Sequence, residues 1–463
     1  MKIFNTLTRE KDELTPMTPG VYKIYCCGPT VYNYIHIGNA RPLCTFDVLR
    51  RYLEYQGNQV DFVQNFTDVD DKLIRRANEE KKSVKEIAEK YIEEYQKDVT
   101  GLNILPPTYA PKATENIEQM IAFIQHLIDT GYAYEHEGDV YFRVSKDPTY
   151  GKLSRQLIDE LVAGARVDIN SGKENPVDFV MWKAAKPGEV FWESPWGPGR
   201  PGWHIECSVM AKEYLGDTID IHCGGQDLVF PHHENEIAQS ECGNGQEFAR
   251  YFMHNGYINI DNEKMSKSKG NFFTVRDVAE EYGYEVIRYV MVSSYYRSAL
   301  NYSTELLEQC QSALERLYNF RSNLDFWQAK ADDKATEDLR QWTEEASKGF
   351  FAGMDNDLNM AEALGSVFEL VRDVNSAVGD EIPFSKKDLQ YAAEVFDSWM
   401  GILGILTERN NEKPDEEIEK LIEERTAARE AKNFARADAI RDQLSEMGIL
   451  LEDTPQGVRW VRE

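Results

Sequence analysis

The order of apolar and polar residues along the chain changes its period several times, and these changes outline the structural elements. A short β-rich run spans Val21 to Tyr25. Four apolar positions after it recur at helical spacing: Leu43, Phe46, Leu49 and Leu53. Val60 to Gln64 is again strand-like, and an acidic cluster begins the helix after it: Asp68, Asp70 and Asp71. This alternation over about the first 125 residues predicts a doubly wound α/β unit.

The pattern breaks between residues 126 and 199, where we expect an insertion that splits the nucleotide-binding fold. Tyr132 to Val144 is typical of a hairpin that turns at Glu137-Gly138, and stretches rich in Gly and Pro follow it. The strand-like run Thr218 to His222 and a helix that begins at Pro231 then resume the fold.

The C-terminal part is helical and ends in a separate module. The helical pattern runs from about residue 305 to 405, and a polar linker at 408–414 follows it. We therefore predict a doubly wound Rossmann-type nucleotide-binding fold split by an insertion, then an all-α helical bundle and a small C-terminal module. The predicted boundaries are 1–125 and 200–255 for the two Rossmann halves, 126–199 for the connective insertion, 256–305 for a lysine-rich loop with the region after it, 306–405 for the bundle and 406–463 for the module.

Composition limits the classes of protein that this sequence can encode. A chain of 463 residues exceeds one hydrophobic core, and no run of roughly 18 or more apolar residues occurs. The net charge of −28 argues against a general nucleic-acid binder, so such a partner would need local basic surface. Seven scattered cysteines are typical of reduced thiols, some on a metal, and not of a disulfide framework. We expect a cytoplasmic protein.

Two motifs could bind phosphate groups. The sequence HIGN at residues 36–39 lies where a strand leads into a helix N-terminus, and free backbone N–H groups and the helix dipole favour an anion there. Gly38 would let a nucleotide approach the backbone, while His36 and Asn39 offer side-chain donors. The sequence KMSKS at residues 264–268 would form a cationic loop that closes over a polyphosphate. Taken singly, these motifs are also typical of a capped βα turn and of a solvated surface.

A further set of residues could bind a metal ion. His232 and Glu236 are four positions apart on the helix predicted from Pro231, so their side chains share one face. His233 has Ile237 at the same spacing, which cannot ligate. Spacing alone cannot nominate the distant cysteines that would complete such a site, and a surface His/Glu pair is the more usual explanation of the pattern.

The C-terminal module contains four basic residues in 4-3-4 spacing: Arg425, Arg429, Lys432 and Arg436. On one helix they would form a basic stripe for a nucleic-acid partner. Acidic neighbours surround them: Glu423, Glu424 and Glu430. Because of these neighbours, a solvated helix face is the alternative explanation.

Several longer motifs together resemble the cysteinyl-tRNA synthetase family of class I aminoacyl-tRNA synthetases. They are CGPTVYNYIHIGNAR (27–41), NFTDVDDK (65–72), GRPGWHIECS (199–208), IHCGGQDLVFPHHENEIAQSE (221–241) and KMSKSKGNF (264–272). The similarity runs from Tyr22 to Arg462 and covers nearly the whole chain. One departure from the general class pattern is Asn39, which stands where the first signature ends in His. Its amide can donate a hydrogen bond but carries no charge.

The resemblance implies a two-step reaction with ATP, Mg²⁺, L-cysteine and tRNA(Cys). The cysteine carboxylate would attack the α-phosphate to give cysteinyl-adenylate and pyrophosphate, and the cysteinyl group would then pass to the 3′-terminal adenosine of the tRNA. Eight residues match the ATP-binding signatures: His36, Gly38, Asn39, Lys264, Met265, Ser266, Lys267 and Ser268. Of these, four would stabilise charge on the phosphates electrostatically: His36, Asn39, Lys264 and Lys267.

The resemblance also implies one Zn²⁺ per chain, held by four residues: Cys27, Cys207, His232 and Glu236. Cysteine and serine differ by sulfur versus oxygen, and discrimination on the order of 10⁴–10⁵ requires roughly 5.5–7 kcal/mol, more than one hydrophobic contact supplies. A substrate thiolate bound to zinc as a fifth ligand could supply it, because a serine hydroxyl is a poor ligand. The implied cysteine-binding residues are Cys27, Gly28, Thr67, Trp203 and His222.

The family organisation further implies that the C-terminal module reads the anticodon and that the 256–305 region contacts the tRNA stem. Three residues match base-contacting positions: Arg429, Asp438 and Asp453. We expect a monomer with no membrane partner. Two alternatives stay open: a paralogous ligase of the mycothiol pathway that joins cysteine to an amino sugar, and a non-catalytic zinc and RNA-binding descendant of a synthetase.

The first prediction concerns the charge of Lys267. If this charge stabilises the phosphates as they react, Lys267→Ala should lower the adenylation rate constant by a factor on the order of 10²–10³, as for one strong oxyanion donor. Single-turnover adenylate formation measures this. A variant with an altered KM for ATP and an unchanged rate constant would show that the loop only binds.

The second prediction separates the synthetase from the amino-sugar ligase. Truncation near Thr407 should leave cysteine-dependent pyrophosphate exchange largely intact, because the residues assigned to ATP, zinc and cysteine all precede Gly270. Charging of tRNA should fall steeply, and the remaining tRNA binding should depend less on salt. Equal charging by the truncated and intact chains would refute the anticodon assignment.

Overall fold

The computed structural model describes residues 1–157, 172–260, 263–264, 273–379, 381–407, 416–454 and 457–462. These residues form two compact units. The first comprises Met1–Gln311, Ala352–Glu362 and Ile402–Ile405, and the second comprises Ser312–Phe351, Ala363–Gly401 and Leu406–Glu463. The predicted polar linker at 408–414 lies outside the described residues.

Strands are concentrated in the first unit. In chain order they are β1 (Lys2–Asn5), β2 (Glu10–Glu13), β3 (Val21–Cys26), β4 (Gln59–Gln64), β5 (Ala133–His136), β6 (Asp139–Phe142), β7 (Phe179–Ala184), β8 (Gly199–Pro201), β9 (Ile219–Gly225), β10 (Ala249–Asn255), β11 (Ile258–Ile260), β12 (Glu263–Lys264) and β13 (Leu300–Tyr302). Strands β14 (Ile449–Thr454) and β15 (Gly457–Arg462) form a hairpin in the second unit.

Helices occur throughout both units. They are α1 (Ile37–Tyr55), α2 (Asp71–Glu80), α3 (Val84–Gly101), α4 (Ile117–Asp129), α5 (Trp203–Leu215), α6 (Glu234–Asn244), α7 (Val275–Tyr282), α8 (Tyr284–Val292), α9 (Thr304–Lys330), α10 (Leu339–Asp355), α11 (Met360–Ala377), α12 (Lys386–Leu403), α13 (Glu416–Glu430) and α14 (Phe434–Glu446). None of the helices in the described ranges is long and apolar enough to cross a membrane.

The main sheet is parallel, with strand order β10-β9-β3-β4. Helix α1 packs its predicted apolar face inward, since Leu43, Phe46, Leu49 and Leu53 are all buried. The predicted acidic start of the next helix is also confirmed, because Asp70 precedes α2 and accepts a hydrogen bond from the Lys72 N–H at 2.7 Å. The doubly wound prediction is therefore confirmed.

In chain order, the strands of a second, antiparallel sheet are inserted between β4 and β9 of the main sheet. The order of strands in this second sheet is β5-β6-β7-β8. The predicted hairpin around Glu137-Gly138 is confirmed by the pairing of β5 with β6. The helix predicted to begin at Pro231 begins later. Val229–His233 is irregular, with extended backbone at Phe230, and regular α-helix starts at Glu234. The exact domain boundaries stay predictions.

The second unit is largely helical, and its C-terminal part corrects the basic stripe. Helix α13 ends at Glu430, Lys432 has a left-handed φ of 55°, and α14 begins at Phe434. The 4-3-4 spacing therefore crosses a turn and does not define one helical face. Arg425 is only 7% exposed, and Arg436 forms an ion pair with Glu424 at 2.7 Å. The continuous stripe was thus a wrong expectation.

A buried cation joins several segments of the first unit. The Arg288 guanidinium on α8 is 2.5 Å from the Asp47 carboxylate on α1, and both side chains are 1% exposed. It also donates to the carbonyl oxygens of Leu102 and Asn103, each at 2.9 Å, and of Leu403 at 2.8 Å. One side chain therefore donates hydrogen bonds to carbonyl oxygens at the C-terminal end of α3, in the loop after it and at the end of α12.

The third prediction follows from this burial. Arg288→Met should lower the free energy of unfolding by about 3–5 kcal/mol, because three carbonyl oxygens lose their donor and the Asp47 carboxylate keeps only one of its two cations, Arg51 at 2.7 Å. Urea denaturation measures the change. As a control, Lys85→Met removes an exposed ion pair with Glu89 and should cost less than about 1 kcal/mol. Equal stability of the two variants would contradict this account.

Candidate functional site

Six ionisable side chains from four segments meet at the carboxyl end of the central strands. Cys27 follows β3 directly, and its backbone N–H donates to the Cys223 carbonyl of β9 at 3.3 Å. Cys207 lies on α5, three residues come from the irregular turn and α6, and one lies in β9: His232, His233, Glu236 and His222. All but Cys27 are buried, so this edge of the sheet carries a concentrated set of metal-type ligands.

Four of these residues have the separations of a tetrahedral metal site. The Cys27 and Cys207 sulfurs are 3.8 Å apart, Cys207 Sγ is 3.6 Å from His232 Nε2, and Cys27 Sγ is 3.7 Å from Glu236 Oε1. Tetrahedral zinc with bonds of about 2.3 Å to sulfur and about 2.0–2.2 Å to nitrogen and oxygen requires about 3.5–3.8 Å between ligand atoms when one is sulfur, and about 3.3–3.5 Å between nitrogen and oxygen. His232 Nε2 and Glu236 Oε1 are closer, at 2.8 Å, and would have to separate by roughly half an ångström to bind the ion.

A second set shares two of the same residues. Cys27, His222, His233 and Glu236 also place their ligand atoms within 4.8 Å of one another. His233 Nε2 lies 3.3 Å from Cys27 Sγ, although Ile237, four positions after His233, cannot ligate. Helical spacing alone therefore did not reveal that His233 also lies beside Cys27. The set containing Cys207 has the better donors for zinc, because it includes a second thiolate.

The residues of the first set shift one another's pKa values. Burial alone would lower the pKa of His232, but the Glu236 carboxylate and the Cys207 sulfur raise this pKa to about 10. The imidazoles of His232 and His222 hold the pKa of Glu236 well below its usual range despite its burial. The hydrogen bond from Cys27 lowers the pKa of Cys207 to about 6, while burial and this pairing raise the pKa of Cys27. A divalent cation would therefore replace the protons of Cys27 and His232.

Residues around the ligands orient their rings. His232 Nδ1 is 2.8 Å from His204 Nδ1, so the Nε2 atom of His232 faces the two cysteines. His233 Nδ1 is likewise 2.8 Å from His254 Nε2, and His254 Nδ1 is 2.7 Å from the Thr6 hydroxyl. Such outer contacts fix the tautomer and orientation of a ligating imidazole. No motif or spacing in the sequence predicted these supporting histidines, and the clustering of histidines in the 204–254 region was their only signal.

A cavity of about 510 Å³ extends from Cys27 to the HIGN motif. Its size is typical of a small-molecule site. Of the predicted cysteine-binding residues, Cys27, Gly28 and Trp203 line it, and the Trp203 ring stacks on His232 with centroids 4.1 Å apart. Thr67 and His222 are buried and are not among its lining residues. The Thr67 hydroxyl donates to Glu206 at 2.7 Å, and His222 Nε2 lies 2.7 Å from Glu236 Oε2.

Gly28 is required by a close approach of two backbone segments. A Cβ atom at this position would lie 1.6 Å from the Asn65 carbonyl oxygen, so any other residue would displace the loop. The Gly28 N–H also donates to the Asn65 side-chain oxygen at 2.9 Å. The position beside Cys27 is therefore fixed by sterics and by this hydrogen bond.

The HIGN motif lies at the opposite end of the cavity. His36 precedes α1 in an extended conformation, and His36, Gly38 and Asn39 all line the cavity. The Asn39 side-chain oxygen accepts a hydrogen bond from the His36 N–H at 3.0 Å and so caps its own helix. This leaves the amide group of Asn39 as the donor that could reach a phosphate.

The other predicted residues are less completely described. Lys264 is the last residue of β12 and pairs with Asn259, while residues 265–272, with the rest of the lysine-rich loop, lie outside the described residues. Just after the loop, the backbone of Thr274 pairs with that of His36, through hydrogen bonds of the neighbouring residues Phe273 and Val275. The chain that follows the loop therefore lies beside the first motif. Arg429 lies near the end of α13 and Asp438 on α14, where Asp438 is 3.6 Å from Arg441, and Asp453 lies in β14.

Comparisons with known proteins agree over the whole chain. Residues 13–312 match the family described as tRNA synthetases class I (C) catalytic domain. Residues 349–407 match the DALR domain, and residues 413–460 match the cysteinyl-tRNA ligase anticodon binding domain. The chain is 54% identical to a cysteine–tRNA ligase of Clostridioides difficile, with 100% of both chains covered. It is 53% identical to one of Halalkalibacterium halodurans, covering 100% of this chain and 99% of the relative.

Solved structures show the same fold at much lower identity. Methionyl-tRNA synthetase of Mycobacterium tuberculosis, in complex with methionyl-adenylate, superposes with a TM-score of 0.62 at 15% identity. The match covers 83% of this chain and 89% of that chain. At this identity the likeness concerns the fold alone.

Proposed function

Since this chain belongs to the cysteine–tRNA ligase family of class I synthetases, we propose that the cluster around Cys27 binds one zinc ion that selects cysteine. The chain charges tRNA with cysteine, and class I chemistry uses ATP and Mg²⁺. The observation that carries the zinc proposal is the set of near-tetrahedral separations among Cys27, Cys207, His232 and Glu236. The two alternatives left open by the sequence lose support because cysteine–tRNA ligases match this chain over full length and its residues 413–460 match an anticodon-binding domain.

The zinc ion would act in recognition. Two thiolates, an imidazole and a carboxylate would hold it, and the thiolate of the substrate would add as a further ligand from the cavity. A serine hydroxyl binds zinc weakly and stays protonated at neutral pH, so serine would lose this bond. Trp203, which covers His232 and is 41% exposed, would close the cavity over the bound side chain.

The phosphates of ATP would lie at the other end of the cavity. His36 and the Asn39 amide would donate to them from the N-terminus of α1, where the helix dipole favours an anion. Lys264 and Lys267 would supply positive charge from the loop, with Met265, Ser266 and Ser268 shaping it. These groups would stabilise charge without transferring a proton.

Further parts of the proposal concern the tRNA and the setting of the enzyme. We propose that Arg429, Asp438 and Asp453 contact the anticodon, which the match of residues 413–460 supports at the level of the domain. Because the four basic residues do not share one helix, tRNA binding there would use separate positions on α13, α14 and the turn between them. We also propose a cytoplasmic monomer.

The fourth prediction tests the zinc ion. Cys207→Ser should lower the metal content from one zinc per chain and lower cysteine-dependent ATP–pyrophosphate exchange with it, because serine is a poor zinc ligand. Metal analysis and exchange assays with each amino acid measure both. In the unchanged protein, cysteine alone should support exchange.

The matched control is Cys242→Ser, which changes a partly buried thiol outside both ligand sets. It should retain zinc and exchange activity. Full exchange by a demonstrably metal-free Cys207→Ser protein would exclude the recognition role. A variant that only loses solubility would indicate a structural zinc ion.

A further inference from the structure

The backbone directly after the lysine-rich loop is hydrogen-bonded to the first phosphate motif. The Ile37 N–H donates to the Phe273 carbonyl at 3.1 Å, and the Val275 N–H donates to the Ile35 carbonyl at 3.0 Å. These two bonds make a short antiparallel bridge between His36 and Thr274. Phe273 and Thr274, the first residues after the loop, are therefore held beside His36 by these two hydrogen bonds. Their position also depends on the contacts that anchor α7, the helix that follows them.

Arg276, in the first turn of α7, connects this helix to α3 through an ion pair and hydrogen bonds. Its Nη1 atom forms an ion pair with the Glu94 carboxylate, and its Nε and Nη2 atoms lie 3.3 Å and 3.1 Å from Asp98 Oδ1. Nη2 also donates to the Glu94 carbonyl oxygen at 3.2 Å. The Tyr284 hydroxyl donates to the same Asp98 oxygen at 2.8 Å, so donors from α7 and α8 meet at one carboxylate of α3 that is 0% exposed.

The same guanidinium also contacts the cavity wall. It lies 4.6 Å from the centre of the Tyr34 ring, within the range of a cation–π interaction, and Tyr34 lines the cavity two residues before His36. The other side of Tyr34 meets the Tyr91 ring edge-on, with centroids 5.5 Å apart. Arg276 therefore joins α3, the end of the loop and the segment before His36 through one planar group.

The position of this arginine is unfavourable for the helix that carries it. A cation in the first turn opposes the helix dipole, and the N-terminus of α7 is already capped by Thr274 and Asp277. Its contacts with α3 and Tyr34 are what account for the position.

We propose that Arg276 is a positioning residue for adenylate formation. It holds the end of the lysine-rich loop in register with the His36 segment, so that the charges of both motifs meet at the same phosphates. The inference rests on the proposed function of these motifs. It assigns a role to a residue that is not among those lining the cavity. It concerns the first reaction step only, since pyrophosphate has left before the transfer to tRNA.

The fifth prediction compares the two steps in Arg276→Met. The rate constant of adenylate formation should fall about 10–100-fold, the expected effect of a misplacement of reacting groups by about 1 Å. Single-turnover transfer from preformed cysteinyl-adenylate to tRNA and the KM for cysteine should stay unchanged. Arg276→Lys should restore part of the rate, because it keeps the charge but not the planar fork.

Two control variants separate positioning from stability. Lys97→Met removes the other cation that contacts Glu94, at 2.7 Å, without touching α7, and should leave both steps unchanged. The double variant Arg276→Met/Asp98→Asn replaces the buried carboxylate with a neutral amide, which needs no cation. Its melting temperature should therefore recover, while adenylate formation stays slow.

Three results would overturn the inference: an unchanged rate of adenylate formation in folded Arg276→Met, an equal loss in both steps, or full recovery of the rate in the double variant. The proposed function fails by a different result, namely the absence of cysteine-dependent exchange in the unchanged protein. An active parent enzyme with an unaffected Arg276→Met variant would therefore reject only the role of Arg276.

Discussion

The parallel pairing of β3 with β9 is the constraint on which the site depends. These strands are separated by more than 190 residues in sequence, yet Cys26 pairs with Cys223 and Tyr25 with His222. Because parallel strands end at the same edge, the residue after β3 and the turn after β9 meet there, as is usual for ligand sites in open α/β sheets. Cys27 thereby reaches the histidines and the glutamate of the 229–236 segment.

The cost of burying so many ionisable groups explains why the cluster is so closely paired. A lone buried carboxylate or thiolate is strongly disfavoured, but Glu236, at 0% exposure, faces two imidazoles, and Cys207 shares a proton with Cys27. With the pKa of Glu236 and of Cys207 lowered and that of His232 raised, two anionic groups face one cationic imidazole. A divalent ion would complete the balance of charge, which is the physical link between the metal-type geometry and the proposed selection of cysteine.

At the other end of the cavity, fold and chemistry are linked through short backbone contacts. The HIGN motif lies at the start of α1, and His36 pairs with Thr274, the residue that precedes α7. A loop that carries catalytic side chains needs ends that are held by a rigid framework. Here the framework consists of α3, α7 and Tyr34, with Arg276 between them.

Elements with local signals could be predicted from the amino-acid sequence. Alternation, helical spacing and capping residues predicted the main strands, the apolar face of α1, the hairpin at Glu137-Gly138 and the helical C-terminal part. The motifs also pointed to phosphate binding and, through resemblance, to the ligand set. Local signals failed where a few backbone angles decide the outcome. The left-handed Lys432 ends a helix within the supposed basic stripe, and the irregular turn at Phe230 delays α6 to Glu234.

Contacts between residues far apart in the chain could not be predicted in this way, because they depend on how the elements pack. Spacing of four residues linked His232 to Glu236, but it could not show that His233 also lies 3.3 Å from Cys27, a residue more than 200 positions earlier in the chain. It also could not place His204 or His254 behind the ligands, or Arg276 between α3 and the HIGN segment. The reason is physical: periodicity reports which face of an element is buried, whereas strand order and the packing of helices decide what that face touches.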